Sequence, residues 1–256
     1  MTTRFSTDGP IGILTAIDDE LRPLARRAGA RTPRTTGEAT TGALAGVTVR
    51  LAASGMGQER SRAAAEALLA GGARALIITG YCAGIAPGLR PGDLIVAAEV
   101  RPPDGGAPIR PPLAPHLGPI ALGREHRGPV LSGTSVVTLA ASKRALARSH
   151  PDALALDTET LGAGLAARAA GVPWCAVRAV TDGPGDTLPS FVARFALPNG
   201  QPDRARIVAA ALTHPWSLPA LAALGARSAR AADRIGVAAE AIVASWAATE
   251  SERGHR

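Results

Sequence analysis

The chain predicts an α/β fold with a largely parallel sheet, on three observations. Short apolar, β-branched runs alternate with helical patterns from residue 11 to residue 182. Polar and glycine residues gather where those runs end, which is where sheets of this class build their sites. With 256 residues, 46% of them apolar, a large core is affordable within one domain or two small ones.

The first element, "IGILTA" at 11–16, reads as a strand, and Asp18, Asp19 and Glu20 come straight after it with Leu21, Leu24 and Ala25 at helical spacing. "VTVRLAA" at 47–53 is the second expected strand; it runs into "SGMG" and a helix, "QERSRAAAEALLAGG", that closes on paired glycines. "ALIITG" at 75–80 reads as a buried strand entering the glycine loop "GYCAGIAPGLRPGD", and "LIVAAEV" as the next strand. Residues 101–129, which begin "RPPDGGAPIRPPLAPHLGP", are too rich in Pro and Gly for helix or central strand, so a surface loop or flap is expected. "PVLSGTSVV" and "ALALDTE" read as strands around the helix "AASKRALARSH". The helix "TLGAGLAARAAG" and the strand "WCAVRAVTD" come next.

Beyond residue 202 lie two helical patterns, "DRARIVAAALTH" and "LPALAALGARSARAADRIGVAAEAIVASW". In the second, Ile235, Ala239, Ile242 and Trp246 share one face and Arg227, Arg230 and Arg234 share another. Such a helix either docks on the domain or lies on a membrane surface. The expected organisation is a flexible N-terminus at 1–10, an α/β domain at 11–200 with the loop at 101–129, a helical extension of the same domain at 201–248 and a tail at 249–256.

The net charge of +7 rests almost wholly on scattered arginines, with 3% aromatic residues. Without aromatics interleaved among the basic residues there is no stacking platform, and a nucleic-acid partner is not expected. Cys82 and Cys175 lack the paired spacing of a zinc or redox site, which fits a reducing cytoplasm. The N-terminus lacks the apolar core of a signal peptide and the uncharged stretch from Ala75 to Leu89 is broken by Gly, Thr and Pro, so a cytoplasmic protein is expected, with the inner-membrane surface as a peripheral alternative. The five histidines, His116, His126, His150, His214 and His255, are widely spaced and argue no metal site.

Four blocks in order, "IGILTAIDDEL", "SGMGQERSRAAAEALL", "ITGYCAGIAPGLRPGDLIVAAEV" and "ALALDTETLGAGLAARAAGVPWCAVRAVTD", resemble the nucleoside phosphorylase and nucleosidase superfamily, in particular its 5'-methylthioadenosine/S-adenosylhomocysteine nucleosidase branch. The resemblance implies a single domain whose twisted mixed sheet is partly closed as a barrel and flanked by helices, a homodimer or higher homo-oligomer, and cleavage of an N-glycosidic bond. That reaction needs a group to protonate the departing base and groups to steady a ribose that becomes cationic.

Residue by residue, the resemblance makes Asp182 the acid that protonates purine N7, and Glu20 the base that activates water. Read from local sequence alone, Asp182 also suits a turn in "DGPG" and Glu20 the first turn of a helix. Glu159 matches the glutamate that grips both ribose hydroxyls, while Asp157 is expected to end the strand or cap the helix. Thr158 stands where the family has methionine, Tyr81 and Cys82 follow Gly80 where small residues are common, and Val136 replaces an aromatic that stacks on the base. Val137 then offers backbone hydrogen bonds to the adenine edge, and Met56 and Thr181 complete the implied substrate contacts. No cofactor or metal is implied; phosphate, drawn toward Arg22 and the loop after Gly80, is the alternative nucleophile to water.

The C-terminal "HPWSLPALAALGARS" resembles a narrower group, the hopanoid-associated phosphorylases, which implies adenosylhopane as substrate, with release of adenine. The alternatives are a methylthioadenosine/S-adenosylhomocysteine nucleosidase, a non-catalytic nucleoside-binding protein, and a membrane-surface scaffold.

Overall fold

The computed structural model describes residues 9–115, 117 and 124–254, with side chains as far as residue 249. Residues 1–8 of the expected flexible N-terminus, part of the loop at 101–129, His116, His255 and Arg256 lie outside the described residues. The strands are β1 (Ile11–Thr15), β2 (Ala39–Leu44), β3 (Val47–Ala53), β4 (Ala75–Gly84), β5 (Leu94–Arg101), β6 (Glu125–Ser132), β7 (Ala155–Asp157) and β8 (Trp174–Asp182). The helices are α1 (Asp18–Arg27), α2 (Gln58–Ala70), α3 (Ala140–Ser149), α4 (Thr160–Ala169), α5 (Ser190–Arg194), α6 (Arg204–Thr213) and α7 (Leu218–Gly254).

One sheet runs β2-β3-β1-β4-β7-β6-β5-β8, and β8 returns to pair with β4. Strands β4, β7, β6, β5 and β8 therefore close into a five-stranded barrel, and β1, β3 and β2 extend it as an open wing. The sheet is mixed rather than largely parallel: β2 with β3, β4 with β7 and β5 with β8 are antiparallel. Short β7 pairs antiparallel with the end of β4 and so completes the ring.

Side chains alternate between two layers, as strand geometry demands. Ile11, Ile13 and Ile77 pack with Leu21 and Leu24 of α1 and Ile235 and Ile242 of α7. Leu14, Leu76 and Ile78 pack on the other face with Leu68 of α2 and Ala163 and Ala166 of α4. The two helices of that second layer approach closely because α4 is built from small residues; a Cβ on Gly162 would stand 2.1 Å from the Gln58 carbonyl oxygen.

Four expectations need correction. The glycine loop after Gly80 is strand as far as Gly84, since residues 80–83 stay in the ladder with β8. The Pro-rich loop ends earlier than residue 129, because β6 starts at Glu125. Pro129 is accommodated inside the barrel where the ladder with β5 shifts register between Ala97 and Glu99, the kind of irregularity that spares a strand proline its missing N–H. Conversely, "PVLSGTSVV" leaves the sheet at Ser132. At the C-terminus α7 continues through residues 249–254 where a tail was expected.

The apolar face of α7 settles how that helix is used. Ile235, Ala239 and Ile242 are fully buried in the first layer, each isoleucine contributing about 1.5–3 kcal/mol of burial. Two of its arginines also bond to the domain: Arg227 pairs with Asp186 at 2.9 Å, and Arg234 donates to the Gly92 carbonyl at 2.6 Å.

Candidate active site

Four strand ends, those of β1, β4, β7 and β8, converge on one cavity of about 1000 Å³. Glu20, Met56, Tyr81, Cys82, Val136, Val137, Thr158, Glu159, Thr181 and Asp182 line it, so every implied contact residue except Gly80 reaches the cavity wall. Gly80 lies behind it, at φ +148°. A Cβ there would stand 2.6 Å from Arg178 Nη1 and 3.0 Å from Glu20 Oε1, so the backbone can pass between those charges only as glycine.

Glu20 occupies the first turn of α1, yet it is buried rather than solvated. Its Oε2 accepts from the Ala16 and Ile17 amides at 2.7 and 3.0 Å, and its Oε1 from the Tyr81 amide at 2.8 Å. Burial pushes its pKa up to about 7, an effect that these amide bonds only partly offset. A carboxyl that changes protonation near neutrality is suited to take a proton from water.

Asp157 and Glu159 face different partners. Asp157 caps α4: its Oδ1 accepts from the Glu159 and Thr160 amides at 3.3 and 3.2 Å, and its Oδ2 receives the Thr160 hydroxyl. Glu159 turns toward the cavity. Its Oε1 accepts from the Gly57 amide at 3.0 Å and from the Thr158 hydroxyl, and burial holds its pKa above the usual carboxylate range.

Between these acids lies a cation that the sequence pattern did not single out. Arg178 of β8 is fully buried and bonds Asp157 Oδ2 through Nε at 2.7 Å, with Glu159 Oε2 at 3.8 Å from Nη1. Thr160 Oγ1 lies 2.9 Å from its Nε and 2.6 Å from its Nη2. It is the charge that lets three buried carboxylates share one end of a barrel. An arginine inside the apolar strand "WCAVRAVTD" is itself the signal, since a buried guanidinium needs paired acids nearby.

Asp182 ends β8 and is buried beside a second such cation. Lys143 of α3 donates to Asp182 Oδ2, and the Thr181 hydroxyl lies 2.7 Å from Oδ1. The "DGPGD" segment is also a turn, closed by the Gly183 amide on Asp186 Oδ2 at 2.8 Å, so the local and the catalytic readings of Asp182 are compatible.

The Tyr81 amide is committed to Glu20, and Cys82 is buried with its thiol pKa pushed well above normal, so neither expected loop residue offers a nucleophile or a free anion nest. The Tyr81 hydroxyl is buried and makes no hydrogen bond to the described residues. Arg22 faces Asp19 at 3.6 Å, and Arg204 also pairs with Asp19. Among the described residues no cluster of three His, Cys, Asp or Glu is placed to hold a metal ion.

Residues 10–213 match the family model described as the phosphorylase superfamily. The fold is similar to that of 5'-methylthioadenosine/S-adenosylhomocysteine nucleosidase from Neisseria meningitidis, with a TM-score of 0.68 and 19% identity over 93% of this chain and 100% of that one. The corresponding Campylobacter jejuni enzyme gives 0.69 and 17% over 93% and 100%. Futalosine hydrolase of Helicobacter pylori gives 0.67 and 16% over 92% and 99%. With a family match across most of its length and the barrel fold of these neighbours, the chain belongs to the phosphorylase superfamily and is an enzyme of the nucleoside hydrolase or phosphorylase kind.

Proposed function

We propose that the protein cleaves the N-glycosidic bond of a 5'-substituted adenosine with water and releases adenine, and that its substrate is the lipid nucleoside adenosylhopane. The observation that carries the reading is the meeting of Glu20, Glu159 and Asp182 at one end of a cavity whose other end is apolar. In this mechanism the C1'–N9 electron pair passes into the purine while Asp182 gives a proton to N7. Glu159 holds the ribose hydroxyls as positive charge grows on the sugar. Water adds to C1' and loses its proton to Glu20. The named substrates of the Neisseria and Campylobacter neighbours are themselves 5'-substituted adenosines.

Hydrolysis is favoured over phosphorolysis by Glu20, a buried carboxyl placed to take a proton from water, and by the Tyr81 amide, which serves Glu20 rather than an anion.

The lipid substituent is supported by the far wall. From the catalytic carboxylates the cavity runs between α6 and α7 past Ile207, Ala211, Leu221 and Ala232. At about 1000 Å³ it lies at the upper end of the range for small-molecule sites, roughly 300–1000 Å³. At the rim, Val208, Leu212 and Trp216 are 58%, 72% and 75% exposed, and from residue 207 to residue 226 the chain carries no Asp, Glu, Lys or Arg. No single helix among the described residues is long and apolar enough to cross a membrane, but α6 and α7 meet at a bend of 117° that presents this uncharged corner outward. We place the contact of a cytoplasmic enzyme with a membrane surface at that corner, not on the face of α7 that is buried in the core.

Adenine release from adenosylhopane and from 5'-methylthioadenosine, each with and without phosphate, tests the proposal. Release from the lipid without phosphate is expected. Release from methylthioadenosine alone would make the protein a small-molecule nucleosidase, and release from neither would leave a nucleoside-binding protein.

A further inference from the structure

Lys143 is the only lysine in the chain and is completely buried. Burying an ammonium costs several kcal/mol unless each of its protons is taken up. Here all three are. Nζ donates to Asp182 Oδ2, to the Gly183 carbonyl at 3.1 Å and to the Asp186 carbonyl at 2.9 Å. It therefore spans the "DGPGD" turn from below, on a helix that is itself held to the turn's far side by Thr187 Oγ1 accepting from the Ala140 amide at 3.2 Å.

This arrangement distinguishes the two oxygens of Asp182. An ammonium has three donors and no acceptor, so the oxygen facing it cannot carry a proton toward it. The carbonyl oxygen of a protonated carboxyl is a better acceptor than its hydroxyl oxygen, so the ammonium holds Oδ2 in the carbonyl role. The other oxygen, Oδ1, faces the Thr181 hydroxyl, which also lies 3.3 Å from the Cys82 carbonyl oxygen. That hydroxyl has one proton to give. When it donates to Cys82, its lone pairs are open to a proton on Oδ1, so the surroundings favour a protonated Asp182 at Oδ1 over Oδ2.

We propose that Lys143 is the positioning residue for base protonation: it locks the Asp182 carboxyl and confines the transferable proton to Oδ1. The proposal rests on Asp182 acting as the acid. In the step it serves, the Asp182 Oδ1–H bond breaks and the N7–H bond forms as the C1'–N9 pair enters the purine, while Lys143 keeps its own protons. Lys143 touches no substrate; it makes the acid point one way.

The test compares two leaving groups in the same protein preparation. Adenine must be protonated to leave, whereas 4-nitrophenolate is a stable anion and leaves unaided. Lys143→Met, Lys143→Gln and Asp182→Asn are each assayed on the adenine nucleoside and on the 4-nitrophenyl riboside. Because both rates come from one preparation, any loss of folded protein cancels in their ratio.

The expected result is a fall of about a hundredfold in adenine kcat for both Lys143 variants, with KM changed little. Nitrophenolate release should stay within about threefold of wild type. Equal loss on both substrates, or adenine release at the wild-type ratio, would overturn the proposal. If Asp182→Asn itself keeps the wild-type ratio, it is the acid assignment that fails, and the two failures are told apart.

Discussion

Glu20→Gln separates the chemistry of this site from its stability more cleanly than any other substitution. The Glu20 carboxyl is buried and titrates near 7 in the folded protein, against 4.5 for an ordinary glutamate. A raised carboxyl pKa means that the folded state prefers the proton, so stability is lost as pH rises from the unfolded value through the folded one. The gap of about 2.5 pH units corresponds to roughly 3 kcal/mol at 1.36 kcal/mol per unit. Gln carries no charge to desolvate. Its carbonyl can take the place of Oε2 and keep the Ala16 and Ile17 amides, while its NH₂ faces the Tyr81 N–H and loses that bond at a cost of about 1–3 kcal/mol.

Thermal melts of wild type and Glu20→Gln across pH 4.5 to 8 then have a defined difference. The wild type should lose about 3 kcal/mol relative to the variant over that range, or roughly 6 °C in Tm for a chain of this size. At pH 8 the variant should be at least as stable, yet adenine release should fall by roughly 10²–10⁴. In the wild type kcat/KM should rise with pH through about 7, as Glu20 ionises. A wild type that gains stability relative to the variant over this range would refute the burial argument. An active variant would refute the base assignment.

Other consequences arise from the same geometry. Glu159→Ala should weaken ribose recognition, so that wild type prefers the ribonucleoside over its 2',3'-dideoxy analogue and the variant no longer distinguishes them; competition binding checks this. Arg178→Met should destabilise by about 3–5 kcal/mol, since Asp157 and Glu159 would lose their buried countercharge; denaturant melts would show a smaller effect if the pairing is dispensable. Leu212→Glu with Trp216→Glu should abolish co-sedimentation with anionic liposomes and leave hydrolysis of a water-soluble 5'-substituted adenosine unchanged. Unaltered partitioning would remove the α6–α7 corner from the membrane account.

The proposed catalytic acids were legible because they stand at strand ends, next to apolar runs of clear period such as "IGILTA" and "WCAVRAVTD". What supports them was not. Arg178 sits in a strand whose other residues are ordinary core, and its partners Asp157 and Thr160 lie on a different strand and helix, joined only by barrel closure. Lys143 belongs to a polar-looking helix, and its burial depends on the turn after β8 folding across it. Strand β2, "ATTGAL", is half exposed and carries a glycine, so its alternation is too weak to read alone. Likewise the ladder partners of residues 80–83 lie about a hundred positions downstream, and local pattern gives only a glycine loop. The final helix was ambiguous for the opposite reason: an apolar stripe at Ile235, Ala239 and Ile242 looks the same whether it meets lipid or core.

Asp182→Asn, measured for adenine release and for nucleoside binding on the same sample, tests the central claim most directly. The account predicts that release is abolished while the nucleoside still binds, because an amide keeps the shape of the carboxyl and has no proton to give N7. Turnover near the wild-type rate would contradict it and move the proton donor to another residue of the cavity.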